Sequence, residues 1–413
     1  MTAHVITIGD ELLIGQVLNT NQAFIGERLS AIGVRTVAMT TVGDDIEAIQ
    51  SEFRRAWESC PVVIVTGGLG PTHDDITKHA VCQFFGMELV SNPDIRRRVE
   101  ELLSRRNLPW TPAAEDQTMV PRGAEVIANP IGTAPGVRIS RDARHFIVLP
   151  GVPYEMEEML TRSVIPFLAP LIRGQAISHR TLRTTGIPES FLAQQLGDLD
   201  TLLQGSSLAF LPSPAGVRLR ITVLAATAEE AERRVAEAEL RIRAKVGKYV
   251  YGTGEEELED VLGRILRERK MTIAVAESCT GGLITHRITN VGGSSDYLER
   301  GVVAYSNVSK TELLGVPPEI IATHGAVSKE TALAMAEGIR KIARADIGLS
   351  TTGIAGPTGG SLEKPVGLVW IGCADPSGSI AVKFHFGEGR TRVKERASQA
   401  AMELVRRRIM KIV

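Results

Sequence analysis

The stretch VAESCTGGLITHR, residues 275–287, joins an apolar segment to a helical pattern through a turn that contains a serine, a cysteine, a threonine and two glycines. An apolar strand that runs through a glycine turn into a helix is the repeating unit of α/β folds. Ligands of such folds bind beyond the carboxyl ends of the strands. The stretch therefore predicts a fold class and the place of a site, with Ser278 and Cys279 as candidate nucleophiles.

The same strand–glycine–helix pattern occupies both ends of the chain, as in PVVIVTGGLG at 61–70 and DIGLSTTGIAG at 346–356. The continuous apolar strands are typical of parallel sheets that are covered on both faces. Between the two ends, VRLRITVLAA at 217–226 alternates like a half-buried strand and precedes a charged amphipathic helix. We predict an α/β protein with two three-layer α/β domains, 1–172 and 253–413, joined by a small α+β module, 173–252.

The composition argues against nucleic-acid-binding, membrane-spanning and disulfide-rich classes of protein. The formal net charge of −1 offers no overall basic field for nucleic acid or an anionic membrane. No apolar run approaches the roughly 18 residues of a membrane span. The 4 cysteines contain no CxxC pair, which argues against a structural zinc site and a disulfide framework. We expect a cytoplasmic protein without direct nucleic-acid or membrane partners.

Three further stretches near the carboxyl end carry residues that fit nucleophilic chemistry on an anionic substrate. ERGVVAYSNVSKTELLGV at 299–316 contains Tyr305 and Lys310, and a buried lysine can act as the base for a serine. LSTTGIAGPTGGSLEKPVG at 349–367 places Thr352 and several glycines after a strand, as in anion-binding loops. Arg390 opens the last helix, where it can bind a phosphate.

The turn after Glu277 has more than one interpretation. Its backbone N–H groups at the helix start can bind an oxyanion or a carboxylate. Alternatively, Ser278 and Thr280 only cap the helix, and Lys310 is a surface charge. Cys279 is a rival nucleophile, but without a nearby histidine or thiolate stabiliser we interpret it as a small packed residue.

A second set of loops lies near the amino end. TGGLGPTHDDITK at 66–78 is a glycine loop with Asp74 and Asp75 before a helix, and GDELLIGQVLNTNQ at 9–22 contributes Glu11. The two aspartates are either helix caps or ligands of a hard divalent cation beside a phosphate.

The carboxyl-terminal stretches AESCTGG, YSNxxK, TGIAGPTGG with EKPVG, and the final arginine together resemble the carboxyl-terminal domain of the CinA family. That PncC-like domain hydrolyses nicotinamide mononucleotide to nicotinate mononucleotide and ammonia. The resemblance implies Ser278 as nucleophile, Lys310 as base, and Tyr305 and Thr352 as catalytic partners in a metal-free site. It implies substrate contacts from Thr280, Gly281, Gly282, Gly356 and Arg390.

The amino-terminal loops resemble the molybdopterin-binding fold of the MogA and MoeA families, and more closely the CinA amino-terminal domain. Asp74 stands where the molybdopterin proteins usually carry arginine, which departs from the pterin-binding pattern. The resemblance implies an ADP-ribose pyrophosphatase that uses Mg²⁺, Mn²⁺ or Co²⁺, with K⁺ as a candidate companion. The implied substrate and metal residues are Gly67, Gly68, Gly70, Asp75, Asp74 and Glu11, with Asp75 ranked first among the ligands.

The middle module resembles the KH-like module of CinA proteins but lacks a GxxG loop with flanking basic residues, so RNA binding is not expected. The combined expectation is a homodimeric, bifunctional hydrolase of pyridine nucleotides. The alternative is an amino-terminal domain that binds a pterin or nucleotide without hydrolysing it, in an adaptor protein linked to competence or DNA damage.

Overall fold

The computed structural model describes residues 1–70, 72, 75–105, 107–172 and 176–412. The chain falls into two units, Met1–Ser178 with Leu224–Ala231 and His179–Val223 with Glu232–Val413. Within the described ranges, the helices are too short or too polar to cross a lipid bilayer.

The first unit is built on a mixed sheet of six strands in the order β2-β1-β3-β8-β7-β6. Its first four strands in that order are parallel, and the last two are antiparallel. A separate short hairpin pairs β4 with β5. The strands are β1 (Thr2–Ile8), β2 (Arg35–Val42), β3 (Val62–Thr66), β4 (Leu89–Ser91), β5 (Met119–Pro121), β6 (Glu125–Ile127), β7 (Gly136–Arg141) and β8 (Arg144–Leu149).

The antiparallel edge differs from the parallel sheet that the sequence predicts. Only Asp142 and Ala143 separate β7 from β8, and both have positive φ, 51° and 58°. Two residues in that conformation form the tight turn of a β-hairpin, and so short a connection cannot join parallel strands.

Helices cover both faces of this sheet, as the sequence predicts. Ile6, Val63 and Val65 pack toward one face, and Val5 and Ile64 pack toward the other. The helices of this unit are α1 (Asp10–Leu13), α2 (Thr20–Ala31), α3 (Ile46–Ser59), α4 (Thr77–Phe85), α5 (Pro93–Arg105), α6 (Pro112–Gln117), α7 (Pro153–Met159) and α8 (Ile165–Leu168). A π-helical turn, Leu160–Val164, joins the last two, and a 3₁₀ turn, Ala169–Leu171, follows them.

The position of β1 decides where this unit has a crevice. The chain leaves β1 for β2 on one side and later returns to β3 on the other side. The loops that follow β1 and β3 therefore diverge, and open α/β sheets bind ligands at this point. Gly9 and Gly67 begin these two loops.

The second unit contains a four-stranded sheet, β10-β11-β9-β12, and a five-stranded sheet, β14-β13-β15-β16-β17. The strands are β9 (Ala176–Thr184), β10 (Ser207–Ser213), β11 (Gly216–Ala225), β12 (Val250–Thr253), β13 (Ile273–Glu277), β14 (Leu298–Val303), β15 (Ile347–Gly353), β16 (Leu368–Asp375) and β17 (Gly378–His385). The helices are α9 (Glu189–Leu196), α10 (Leu199–Leu203), α11 (Ala228–Val246), α12 (Leu258–Arg269), α13 (Leu283–Thr289), α14 (Asn307–Leu314), α15 (Pro318–His324), α16 (Lys329–Ala343) and α17 (Arg390–Met410).

The central strand β13 separates two apolar cores. Ala274 and Ala276 pack on the side of α14 and α16, together with Leu314 and Met335. Ile273 and Val275 pack on the side of α12, α13 and α17. Because strand side chains alternate between faces, even-numbered residues at the end of β13 face α14 and odd-numbered residues face α13. The predicted fold class, with two layered α/β domains and a small α+β module, is confirmed by the sheets and the helices that cover them.

Candidate active site

Ser278 stands directly after β13 and continues its alternation toward α14. Its backbone N–H donates to the Thr351 carbonyl at 3.0 Å, which fixes the residue against the end of β15. The side chain is 8% exposed. The hydroxyl is therefore held at the carboxyl edge of the sheet, where the sequence analysis places the site.

Lys310 on α14 reaches the same point from the neighbouring element. Its Nζ lies 3.2 Å from Ser278 Oγ, 3.1 Å from the Ala304 carbonyl oxygen and 3.2 Å from the Tyr305 carbonyl oxygen. The side chain is only 2% exposed, so it is not a surface charge. Burial lowers the pKa of Lys310, because the charged amine loses its hydration inside the protein.

The three oxygens around Nζ can accommodate the neutral amine as well as the charged one. Carbonyl oxygens can only accept, so Ala304 and Tyr305 take the two N–H groups of the neutral form. The lone pair then faces Ser278, whose hydroxyl can donate to it. The arrangement gives the serine a base within hydrogen-bond distance.

Cys279 faces the opposite side of the strand. The thiol is 6% exposed and packs in the apolar core with Val275 and Ile284. Burial raises the pKa of Cys279 to about 12, so the group stays a thiol at neutral pH. These observations agree with the interpretation of Cys279 as a packed residue.

Glu277 changes the expected role of the helix start. The carboxylate is fully buried and accepts hydrogen bonds from Ile284 N at 3.1 Å and from Thr285 N and Thr285 Oγ1, both at 2.8 Å. The first turn of α13 is therefore already bound to a carboxylate of the protein and does not bind a ligand oxyanion. Among the described residues, none accepts a hydrogen bond from the N–H groups of Thr280 and Gly282, which remain as donors in the turn.

The two threonines of the predicted site have structural partners. Thr280 Oγ1 lies 2.7 Å from Thr351 Oγ1, and both side chains are fully buried. Thr352 Oγ1 donates to the Ala326 carbonyl at 2.6 Å. Neither hydroxyl is hydrogen-bonded to Ser278 or Lys310.

Tyr305 contacts two residues of the site, one through its backbone carbonyl and the other through its phenol. Its carbonyl oxygen accepts from Lys310, but its phenol is 60% exposed and accepts from Arg390 Nη2 at 2.9 Å. Arg390 Nη1 donates to the Gly356 carbonyl at 3.0 Å. Burial lowers the pKa of Lys310, and the Tyr305 phenol accepts its hydrogen bond from the Arg390 guanidinium and not from the Lys310 amine.

Lys394 is a cation that the sequence interpretation overlooked. It lies one helical turn after Arg390 on α17, and its Nζ is 3.6 Å from the position that a Cβ on Gly281 would take. In the part of the chain that the structure describes, no carboxylate forms an ion pair with it. The i, i+4 spacing of Arg390 and Lys394 was the available signal, since such residues share a helix face.

The candidate residues of the first unit line a cavity of about 360 Å³ at the crevice between the loops after β1 and β3. Gly67 has φ 114°, and a Cβ there would lie 2.1 Å from the Ile8 carbonyl oxygen, so only glycine fits. Among the described residues, three that carry carboxylates line the cavity, and Glu155 is the one that was not predicted. The lining includes Glu11, Gly67, Gly68, Gly70, Asp75 and Glu155.

Asp75 mainly closes its own loop. Its carboxylate accepts from Gly70 N and Thr72 N, each at 2.8 Å, and from Thr72 Oγ1 at 2.5 Å. It does not cap α4, whose first turn begins after Ile76 without a side-chain cap. Asp74, the other predicted aspartate, lies outside the described residues.

The described carboxylates do not by themselves form a metal cage. Among residues 1–70, 72, 75–105, 107–172 and 176–412, no group of three acidic, histidine or cysteine side chains is close enough to hold an ion. A cation that arrives on a diphosphate needs fewer protein ligands, because Mg²⁺ commonly combines one or two carboxylates with substrate phosphates. Glu11, Asp75 and Glu155 in one cavity fit that second arrangement.

Comparison with known proteins accounts for nearly the whole chain. A CinA-like protein from Salinibacter ruber is 48% identical over 409 residues, which cover 98% of this chain and 99% of the Salinibacter protein. The chain belongs to the CinA family. A CinA-like protein from Chloroherpeton thalassium is 44% identical over 98% of this chain and 99% of its own length.

Three family models match this CinA chain in order. They are described as "Probable molybdopterin binding domain" over 4–170, "Damage-inducible protein CinA KH domain" over 179–252 and "CinA C-terminal domain" over 255–409. A solved structure, the competence/damage inducible protein CihA from Agrobacterium tumefaciens, is 40% identical, with a TM-score of 0.35, and covers 36% of this chain and 94% of that protein. Ser278, Lys310 and Arg390 fall within the CinA C-terminal match, and Glu11 and Asp75 within the first match.

Proposed function

We propose that the CinA C-terminal domain of this chain hydrolyses the carboxamide of nicotinamide mononucleotide. The observation that carries the proposal is the 3.2 Å contact between the Ser278 hydroxyl and the buried Lys310 amine. An amide needs an activated nucleophile, a charge-stabilising site and a proton for the departing nitrogen. The Ser278–Lys310 pair supplies the first and the last.

Acylation begins when the Ser278 hydroxyl gives its proton to the neutral amine of Lys310 and its oxygen attacks the carboxamide carbon. A C–O bond forms, and the electron pair of the carbonyl π bond moves to the amide oxygen. When this intermediate collapses, the C–N bond breaks and the proton on Lys310 passes to the leaving nitrogen, which departs as ammonia. The nicotinoyl group is then esterified to Ser278.

Deacylation repeats the same proton transfers with water. Lys310 takes a proton from water, whose oxygen attacks the ester carbon, and the bond to Ser278 breaks as the proton returns to Oγ. In both halves, the free N–H groups of Thr280 and Gly282 are the donors proposed for the oxyanion. They belong to the turn of the nucleophile itself, so they are placed before the substrate binds.

The substrate phosphate is assigned to α17. Arg390 and Lys394 lie on one face of the first turns of that helix, and Lys394 lies beside Gly281. Guanidinium and ammonium groups form strong charge-assisted hydrogen bonds with phosphate. Tyr305 and the Gly356 carbonyl orient Arg390, which reduces the entropy lost on binding.

The test of this proposal is ammonia release from nicotinamide mononucleotide by the purified chain. Ser278→Ala should abolish release, and Cys279→Ala should retain most of it. Mass spectrometry of protein quenched during turnover should find the acyl adduct on Ser278. Ammonia release by Ser278→Ala, or an adduct on Cys279, would refute the assignment.

For the amino-terminal domain, we propose hydrolysis of ADP-ribose to AMP and ribose 5-phosphate. The cavity lies at the crevice between β1 and β3, in the parallel part of the sheet, and its described lining includes glycines that allow close backbone approach and three residues with carboxylates, which supports this proposal. A divalent cation bound with the diphosphate would supply positive charge to the leaving phosphate. Asp75, Glu155 and Glu11, which line the cavity, are the residues proposed to meet it.

AMP formation from ADP-ribose should require Mg²⁺, Mn²⁺ or Co²⁺ and should stop in excess EDTA. The assay should be repeated with and without K⁺, because K⁺ is the candidate companion ion. Binding of ADP-ribose without AMP formation under any of these conditions would favour a binding module over a hydrolase.

A further inference from the structure

The strand β2 is an unprotected edge of the six-stranded sheet. Proteins usually protect edge strands with charges, proline or short length, because their free backbone groups can pair with another chain. The other edge strands of the three larger sheets follow this rule. β6 and β12 have only three and four residues. β10 contains Pro212, β14 contains Glu299 and Arg300, and β17 contains Lys383. β2 has eight residues, no proline, and no charged residue after Arg35.

The outer side of β2 carries a row of free backbone groups. The Gly9 N–H donates to the Val42 carbonyl at 3.0 Å, so the backbone groups of Val42 point toward β1. Because these groups alternate along a strand, those of Met39 and Thr41 point away from the sheet. The register with β1 shifts at Val37 and is regular from there to the end of β2. In the part of the chain that the structure describes, no strand pairs with this outer side.

The side chains beside this row are apolar and exposed. Val37 is 48% exposed and Met39 is 45% exposed, and Met39 lies against Gly26 of α2. Leu13 is also exposed, and its Cδ1 lies 3.3 Å from the position that a Cβ on Gly43 would take, directly after β2. An exposed apolar surface beside an open strand edge is typical of a protein–protein contact.

The two ends of β2 carry opposite charges. Arg35 at the start is exposed and has no ion pair among the described residues. Asp45, just after the end, is also exposed, and its Oδ1 accepts from the Ala48 N–H at 2.8 Å. When a strand pairs antiparallel with a copy of itself, its start lies beside the end of the other copy. Arg35 then approaches the Asp45 of the second copy, so the charges favour this orientation.

We propose that β2 pairs antiparallel with β2 of a second copy of this chain, about a two-fold axis at Thr40. Met39 of each copy then lies opposite Thr41 of the other, and each such pair exchanges both of its backbone hydrogen bonds. This register uses only the regular part of β2, whereas a register centred on Met39 would need the irregular backbone at Val37. Two six-stranded sheets become one continuous sheet, joined by an isologous contact.

The first test is sedimentation velocity of the full chain and of Met39→Pro. Proline lacks an N–H, but the Met39 N–H points outward and proline is tolerated at such edge positions, so the fold should be retained. The dissociation constant of the dimer should rise at least about tenfold, because each copy loses a hydrogen bond. Met39→Leu, which keeps the N–H and an apolar side chain, is the matched control and should dimerise like the parent.

A second variant keeps the test decisive if proline disturbs the strand. Arg35→Glu changes an exposed side chain and places like charges beside each other in the proposed dimer. It should weaken the dimer several-fold at low salt, and the difference should shrink at high salt as the charges are screened. A monomeric unsubstituted chain, or a dimer that neither Met39→Pro nor Arg35→Glu weakens, would overturn the proposal.

A disulfide cross-link tests the register. Residues at the two-fold axis form a pair without backbone hydrogen bonds, with Cα atoms about 4.5 Å apart, which a disulfide can span. The four native cysteines are buried, so an introduced thiol has no exposed competitor. Under mild oxidation, Thr40→Cys should give a covalent dimer on a non-reducing gel, and Ser207→Cys, at an exposed position of the edge strand β10, should not. Equal cross-linking of the two variants would refute the pairing of β2 with itself.

Discussion

At the scale of single residues, the protonation state of Lys310 decides when the site is active. Burial lowers the pKa of Lys310, so the neutral form appears at a lower pH than in a solvated lysine, whose value is about 10.4. Only the neutral form can take the proton of Ser278. The kcat/KM for nicotinamide mononucleotide should therefore rise with pH through the lowered pKa and reach its plateau below the ordinary lysine range.

A pH–rate profile of ammonia release checks this, with Lys310→Met expected to lose at least about a hundredfold in kcat at every pH. The contribution of Lys310 to the free energy of unfolding should also rise with pH. The unfolded chain binds more protons between the lowered and the ordinary pKa, so the contribution of Lys310 to stability rises with pH across that window. A rate that falls across the window would show that the charged amine is the working form.

Lys394 provides a prediction that separates phosphate binding from chemistry. Lys394→Met should raise the KM for nicotinamide mononucleotide about tenfold, because a charge-assisted hydrogen bond to phosphate is lost, and should leave kcat nearly unchanged. Nicotinamide riboside, which lacks the phosphate, should be affected far less. Arg392→Met, at an exposed position on the same helix, is the matched control. Equal losses for both substrates would remove Lys394 from the phosphate site.

At the scale of elements, the order of strands and helices could be predicted from the sequence, but several side-chain contacts between elements could not. Continuous apolar runs predicted β13 and β15, and the helical pattern after the glycine turn predicted α13. The role of Glu277 could not be predicted, because its neighbours in the sequence do not indicate that a carboxylate in an apolar strand will accept hydrogen bonds from the next helix. Lys394 was missed for a similar reason: α17 approaches Gly281 only through tertiary packing.

The same limit applies to the amino-terminal loops. The sequence around Asp75 fits a metal ligand and a helix cap equally well. Only the folded loop shows that the Asp75 carboxylate accepts hydrogen bonds from the backbone N–H groups of Gly70 and Thr72. The hairpin of β7 and β8 went unpredicted because its turn residues, Asp142 and Ala143, carry no glycine to mark the positive φ.

Glu277 gives the prediction at this scale. Glu277→Gln replaces one acceptor oxygen with an amide that cannot accept, so a donor among Ile284 N, Thr285 N and Thr285 Oγ1 is left unpaired. The free energy of unfolding should fall by about 1–3 kcal/mol. Because α13 and the Ser278 turn lose their common anchor, kcat should fall while KM for nicotinamide mononucleotide changes little.

Chemical denaturation and ammonia assays measure the two effects, with the exposed Glu299→Gln as control. Unchanged stability would show that the carboxylate is dispensable to the start of α13. A fall in stability with unchanged kcat would confine its role to folding.

At the scale of the whole molecule, the carboxyl-terminal domain depends on residues before its predicted boundary at 253. Tyr251 is 8% exposed and packs in the same apolar core as Leu262 and Val275. Arg406 donates to the Lys248 carbonyl at 3.2 Å, and Arg183 pairs with Glu255 at 2.9 Å. The domain thus belongs to one compact unit with most of the middle module.

A fragment that begins at residue 253 should release ammonia, since Ser278, Lys310 and Arg390 all lie within it. It should nevertheless melt several degrees below a fragment that begins at residue 179. Loss of one large buried side chain costs about 1.5–3 kcal/mol, and each kcal/mol is worth about 2–4 °C at this size. Differential scanning calorimetry of the two fragments measures the difference, and equal melting temperatures would show that the core closes without Tyr251.

The opposite orientations of Ser278 and Cys279 bear on how such a catalyst can change over evolutionary time. Deletion of the serine codon would leave the alternation of β13 intact and slide the cysteine into the place that faces Lys310. The amine would then meet a thiol that ionises more readily than a hydroxyl, and an ion pair would replace a hydrogen bond. A single in-frame deletion therefore separates hydroxyl chemistry from thiol chemistry, and Lys310 can act as the base for either nucleophile.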